Sequence, residues 1–414
     1  MSIQQNFPAI TPSLSLNFAR SKTLDPRITF SRTSTATRVN EVGLIEVVSA
    51  DEPRFDHEYD SSTGSVKSLG LLVEEERTNL TENSETLSDY SNARVSNNTI
   101  STGGPFGTGY HEKTITEVGS QYNFHVNNQI SITTGQTITF SIFFRNVNID
   151  VNQIYLRFWT GTGRAWTTQR QVRYNLTNLT TSVSSGTIVN SSIQEFPDDW
   201  YRLSMTATAD QDGFTADSFL TSSNSIGEQY QLMGAQVEIG SFPTSHIPTS
   251  GSTVTRNPDN VSMTGTNFSD WYNQDAGTVY VSQKLRAVQD TSRNNLVYLI
   301  NGGSGNDYFY NPNRGNTNIF AFGDGGTIYS RFQDGTNSID TKTAFAYDVS
   351  GDDFKPYYNG IESTTETNNN TPSVTSHTQL DIGATSGTKY CGHIQQFTYY
   401  PRRLTNTQLQ NLTK

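Results

Sequence analysis

The sequence predicts an all-β protein: two antiparallel β-sandwich domains of jelly-roll type, preceded by a partly irregular N-terminal segment. Three observations predict it. Only 33% of the 414 residues are hydrophobic and 16% are charged, yet the chain holds 22 Phe, 20 Tyr, 4 Trp and 32 Gly. Aromatic residues in such number exclude disorder and suit half-buried pleated surfaces. Period-two alternation of apolar and polar residues recurs along the chain, and helical periodicity is convincing at one place only. The length exceeds what one hydrophobic core usually serves, so more than one domain is expected.

Taken in order, residues 1–80 hold short strand-like pieces, Ile28 to Phe30 and Leu44 to Val48, among basic and hydroxyl residues. Alternation there is too irregular for a sandwich, and the segment reads as a module docked on something else. The first sandwich is expected over 81–243. In QTITFSIFF, Ile138, Phe140 and Ile142 fall on one face and Thr137, Thr139 and Ser141 on the other, the pattern of a half-buried strand. In QIYLRFWTG, Ile154, Leu156 and Phe158 alternate with Tyr155, Arg157 and Trp159, which offers a core face and an aromatic platform. In WYRLSMTATAD, Tyr201, Leu203 and Met205 alternate with Arg202, Ser204 and Thr206. Turn-forming clusters separate these runs.

Residues 244–260 are rich in Pro, Ser and Thr and read as a linker. The second sandwich is expected over 261–414, from GTVYVSQKL, NLVYLI, NIFAFG, TIYSRF, TAFAYDV and FKPYYNGIE. Asn359-Gly360 suits a tight hairpin, because both residues tolerate positive φ. LTNTQLQNL (404–412) predicts the one helix, with Thr405 as its cap. No heptad array is present, which excludes a long coiled-coil shaft.

A net charge of −11 argues against nucleic acid as a partner, since duplex binding needs clustered Lys and Arg. It favours a neutral or basic partner. Cys391 is the sole cysteine, so no intrachain disulfide forms. No signal peptide and no membrane-spanning run are evident, so the expectation is a soluble protein made in the cytosol that does not insert into membranes and leaves the cell by a route such as lysis.

Candidate chemistry is sparse. Glu74 and Glu76 would share a strand face at a spacing that some glycosidases use, but with Arg77 adjacent the cluster reads as solvated or salt-bridged surface. His57, His111, His125, His246, His377 and His393 are scattered, with no zinc-ligand spacing and no nucleophile elbow. No catalytic residue is assigned. Asp210, Asp212 and Asp217 could offer hard oxygens to calcium, although a polar hairpin tip explains them without metal; Asp352 and Asp353 read as a turn. Asn97, Asn175 and Asn260 begin Asn-x-Ser/Thr triplets, which chance supplies in such a composition.

Sugar binding calls for aromatic rings to stack on pyranose faces and for polar groups to take hydroxyls. In the first sandwich Tyr155, Arg157, Trp159 and Trp166 have that chemistry, with Asn152 and Arg164 beside them. Asn306, Tyr308, Tyr310 and Asn313 have it in the second. The plain alternative is that the aromatics pack under a loop or against a neighbouring subunit. Trp200, at a strand start, is assigned to packing.

Three stretches carry a family resemblance. LDPRITFSRTSTATRVNEVGLIEV with EPRFDHEYDSSTG and LGLLVEEERTNL covers 24–80; DDWYRLSMTATA (198–209) leads to YQLMGAQVEIGSFPTSHIPTSGSTVTRNPDN (230–260); KPYYNGIE precedes CGHIQQFTYYPRRLTNTQLQNLT (391–413). Together they resemble bacteriophage tail fibre and head fibre structural proteins with a carbohydrate-binding-module-like sandwich and a C-terminal LamG-like, concanavalin A-like domain. The resemblance implies a non-catalytic virion appendage. Residues 1–80 would attach it to tail or capsid proteins, and the sandwiches would project toward host-surface glycans, with a homotrimer as the usual assembly. A capsid or tail decoration protein that binds only virion proteins is the alternative. A depolymerising tailspike fits less well, because its β-helix would show regular repeats.

Overall fold

The computed structural model describes residue 8 and residues 10–414, apart from 88–89, 93, 118–123, 127–129, 151–153, 216, 222–224, 287–298, 302–307, 311–312, 315–316, 325–326, 335–337, 371–376 and 384–389. All of its sheets are antiparallel, as the alternation predicts.

The first sandwich forms where alternating apolar residues of two sheets meet. One sheet runs in the order Asn190–Phe196, Trp200–Thr208, Thr137–Asn146, Gln229–Ile239, Tyr110–Ile115, Val95–Ile100. The other runs Thr180–Ser185, Arg170–Asn175, Ile154–Phe158, Asp217–Thr221, Phe124–Val126, Tyr90–Asn92. Ile138, Phe140, Ile142, Leu203 and Met205 of the first face Ile154, Leu156, Phe158, Val172 and Tyr174 of the second in one core. Excluding these side chains from water is the main stabilising term here.

Thr137–Asn146 departs from the half-buried expectation, because its polar face is buried too. Thr139 and Ser141 are fully covered; Thr139 Oγ1 donates to Gly240 O (2.9 Å), and Ser141 Oγ accepts from Arg202 (2.9 Å). Hydroxyls satisfied in this way cost little to bury, so the periodicity predicted the correct faces but a water exposure that later chain segments remove.

The second sandwich is built on a sheet of eight described strands. Its order is Ile361–Glu362, Asp353–Tyr358, Asp340–Asp348, Ala276–Leu285, Gly392–Tyr400, Ser65–Val73, Arg54–Asp60, with Leu14–Asn17 also on Gly392–Tyr400. Strands of two smaller sheets, among them Asn260–Thr264, Gln379–Gly383, Thr317–Asp324 and Thr327–Asp334, share its core through Met263, Phe320, Phe322, Phe332, Leu380 and Ile382. Asn359 and Gly360 (φ 45° and 82°) make the expected hairpin turn. Thr405 caps the helix Asn406–Thr413 in a reciprocal capping box with Gln408. No helix among the described residues is long and apolar enough to cross a membrane.

Two boundaries differ from expectation. Residues 1–80 are not a separate module: Leu14, Leu16, Phe55, Leu71 and Val73 lie in the core of the C-terminal sandwich. Ser65–Val73 escaped recognition as a core strand because Leu69, Leu71, Leu72 and Val73 are all buried, which erases alternation. Gly70 (φ 91°) sits in this strand where a Cβ would come within 2.3 Å of Ile394 O, beside a register shift opposite Asp56 and His57. Nor are residues 244–260 a surface tether. Thr244, Ser245, His246, Thr249, Arg256 and Asp259 are buried, and Val254–Arg256 pairs with Arg77–Asn79.

Candidate functional site

Strand Ile154–Phe158 holds the main candidate site. Ile154, Leu156 and Phe158 point into the core, so alternation turns Tyr155 and Arg157 to the outer face of the sheet. Register pairs Tyr155 with Arg173 and Arg157 with Gln171, which adds these two neighbours to the same face. Trp159, just past the strand, is half-buried, and the Arg157 guanidinium lies 3.7 Å from its ring centroid. Arg157 Nη1 donates to Gln169 Oε1 (3.4 Å), and Gln169 Nε2 donates to Gln171 Oε1 (2.6 Å). Arg173 is exposed, and its Nε donates to Ser182 Oγ (3.3 Å). The result is a ledge of planar side chains and amides on a sheet whose other face is locked in the core.

Trp166 does not belong to this ledge. It is fully buried, stacked on Phe158 (centroids 5.0 Å, planes 4° apart) beneath Arg170. The indole fills the end of the core under the 159–169 loop, a packing role that its sequence context could not separate from that of Trp159. Trp200 packs as expected, edge-on to Tyr110 at 5.5 Å.

The other candidate residues do not form a second described site. Tyr308 and Tyr310 lie on strand Tyr308–Tyr310, and Asn313 on Asn313–Arg314, both paired with Thr317–Asp324. Asn306 and Asn152 lie outside the described residues. Of the calcium candidates, Asp210 accepts from Thr167 N (2.8 Å) and Arg170 Nη2 (2.8 Å), while Asp212 accepts from Thr134 N and Oγ1 (both 2.7 Å). Each carboxylate ties a different loop. Asp217 enters by backbone pairing with Phe158. Among the described residues no three His, Cys, Asp or Glu side chains gather as a metal site.

Glu74 and Glu75 correct another expectation: they are buried, not surface. Arg54 Nη1 donates to Glu74 Oε2 (2.8 Å) and to Thr37 O (3.0 Å), and Arg54 Nη2 donates to Asp259. Arg32 Nη1 donates to Asp259 Oδ1 (2.9 Å), and Ser245 N and Oγ donate to Glu74 (2.8 and 2.6 Å). Arg256 and Arg286 approach Glu74 at 3.6 and 3.5 Å, and Arg286 approaches Asp56 at 3.6 Å. Burial alone would raise the Glu74 carboxyl, but these arginines hold it well below the usual range. His393 Nε2 donates to Asp56 Oδ2 (2.7 Å); burial lowers its pKa, so the imidazole is neutral near pH 7. Every anion here is engaged by structural cations, and the hub reads as a weld between chain segments.

No family model and no curated protein matches the chain. Solved structures resemble it in part. The CBM40 module of the Ruminococcus gnavus IT-sialidase, bound to α2,3-sialyllactose, is 18% identical over 34% of this chain and 83% of that one, with a TM-score of 0.28. The NanB sialidase of Streptococcus pneumoniae is 20% identical over 36% of this chain and 26% of that one, at 0.29. Domains LG4-5 of the mouse laminin α1 chain are 7% identical over 66% and 84%, at 0.22. Likeness this slight does not bear on what the chain binds.

Proposed function

We propose that the protein is a non-catalytic glycan-binding appendage of a bacteriophage particle, a tail fibre, head fibre or spike whose first sandwich touches the host surface. The observation that carries the binding reading is the ledge of Tyr155, Arg157, Trp159, Gln169 and Gln171, which stands on a rigid sheet and retains partial exposure at Tyr155 and Trp159. Aromatic rings fixed this way stack on sugars without losing much conformational freedom on binding. The virion reading is supported by the three sequence stretches that resemble phage fibre proteins. Because Leu14, Leu16, Phe55, Leu71 and Val73 lie in the core of the C-terminal sandwich and Val39 and Ile45 pack against Phe143, Phe196 and Trp200 of the first, attachment to the particle would use surfaces of the folded body. Affinity per site would be modest, and many copies on one particle would multiply it.

A glycan array probed with the purified chain and with Trp159→Ala tests this. Binding that the substitution abolishes is the expected result. Absence of all glycan binding, together with retention on isolated capsids or tails, would assign the protein to the decoration class instead. Release of reducing sugar from host polysaccharide would overturn the non-catalytic reading.

A further inference from the structure

The chain carries a net charge of −11, but its acidic residues are unevenly placed. Between Asp150 and Glu195 there is no Asp or Glu, while Arg157, Arg164, Arg170 and Arg173 all fall there. This acid-free stretch supplies strands Ile154–Phe158, Arg170–Asn175 and Thr180–Ser185, which form one side of the outer sheet. Asp210 reaches in from another loop to pair with Arg170 (2.8 Å) at the margin.

On the outer face the register makes Arg157 and Arg173 diagonal neighbours on adjacent strands, since Arg157 opposes Gln171 and Arg173 lies two residues further along. Arg173 is exposed and makes no ion pair among the described residues. Arg157 is buried, pinned between Trp159 and Gln169. Guanidinium groups match a carboxylate with two parallel N–H donors. Beside them stand aromatic surface for a sugar ring and amides for its hydroxyls.

Resting on the proposal that this ledge is the adhesive face, we infer that its ligand is an acidic glycan whose carboxylate is held by Arg173 with support from Arg157. The inference reverses the partner class that whole-chain charge suggests. A local cationic face within a negative body predicts affinity that falls as salt rises, through screening.

The test measures binding of the full-length chain to oligogalacturonate, alginate and polysialic acid oligomers, each beside the same oligomer with its carboxyls reduced to alcohols. At least one acidic oligomer is expected to bind at least about tenfold more tightly than its reduced partner. Arg173→Gln, at an exposed position that folding tolerates, should shrink that gap to less than about threefold. Equal binding of acidic and reduced forms would overturn the acidic class and leave the adhesive face standing. An acidic preference untouched by Arg173→Gln would overturn the placement on this face. No binding by any of these oligomers or by an array of neutral glycans would overturn both this inference and the reading beneath it.

Discussion

At Trp159 and Arg54 the same chemistry, a guanidinium against a partner, does opposite jobs. Arg157 over Trp159 sets a buried guanidinium against a half-buried ring, a contact worth about 0.5–2 kcal/mol. Trp159→Ala should therefore lower stability by less than loss of Arg54 while removing glycan binding, a separation that urea denaturation beside the array reads directly. Arg54 is sealed between Glu74 and Asp259. Arg54→Ala takes one cation from two buried carboxylates and leaves Asp259 with Arg32 and Glu74 with Ser245, Arg256 and Arg286, and loss of one partner from such a buried network costs about 3–5 kcal/mol. Unfolding at clearly lower urea is expected; an unchanged midpoint would mean that water reaches the hub. The sequence distinguished these roles poorly. Trp159 and Trp166 look alike in YLRFWTGTGRAW, and only the loop closing over Phe158 decides that one is core. Glu74 looked like surface because nothing local announces Arg54, Asp259 and Arg286, which arrive from far along the chain.

Among elements, strands whose apolar and polar residues alternate were legible even where both faces are covered, and strands without alternation were not. Ile154–Phe158 and Trp200–Thr208 alternate in residue type although Arg157, Arg202, Ser204 and Thr206 are buried, whereas Ser65–Val73 and the 244–260 segment were misread, because a run of apolar residues in one case and hydrogen-bonded Ser and Thr in the other remove the signal. The helix Asn406–Thr413 was legible from its cap, and Thr405→Ala should cost about 1 kcal/mol, seen as a small fall in thermal midpoint. The junction of Arg54–Asp60, Ser65–Val73 and Gly392–Tyr400 also carries a pH dependence. Asp56 and Glu74 have folded pKa values below their usual 3.8 and 4.5, and His393 lies below its usual 6.5. In each case the unfolded chain binds protons first as pH falls, so each group's contribution is complete above its usual value and lost as pH drops through its folded one. Stability should thus decline from about pH 6.5 downward, first through His393 and then through the carboxylates. Urea midpoints that rise on acidification would contradict this assignment.

The whole molecule is more unified than its composition suggests. Residues 24–80, 230–260 and 391–413 meet at the hub: Arg32, Arg54 and Glu74 from the first stretch, Ser245, Arg256 and Asp259 from the second, Cys391 and His393 from the third. They mark where the first sandwich is stitched into a second one whose strands come from both sides of it in sequence. Residues 261–414 alone lack the strands that hold Leu71, Leu72 and Val73, so that fragment should be protease-sensitive where the full chain resists. Against this welded frame, the outer ledge sets half-buried Tyr155 and Trp159 beside the exposed Arg173, and the proposed function assigns glycan binding to it. The most direct test of that assignment is a hydrogen-exchange footprint of the full chain with the tightest glycan found. The account predicts slowed exchange at 154–160 and 169–174, whereas protection confined to other surfaces of the body would contradict it.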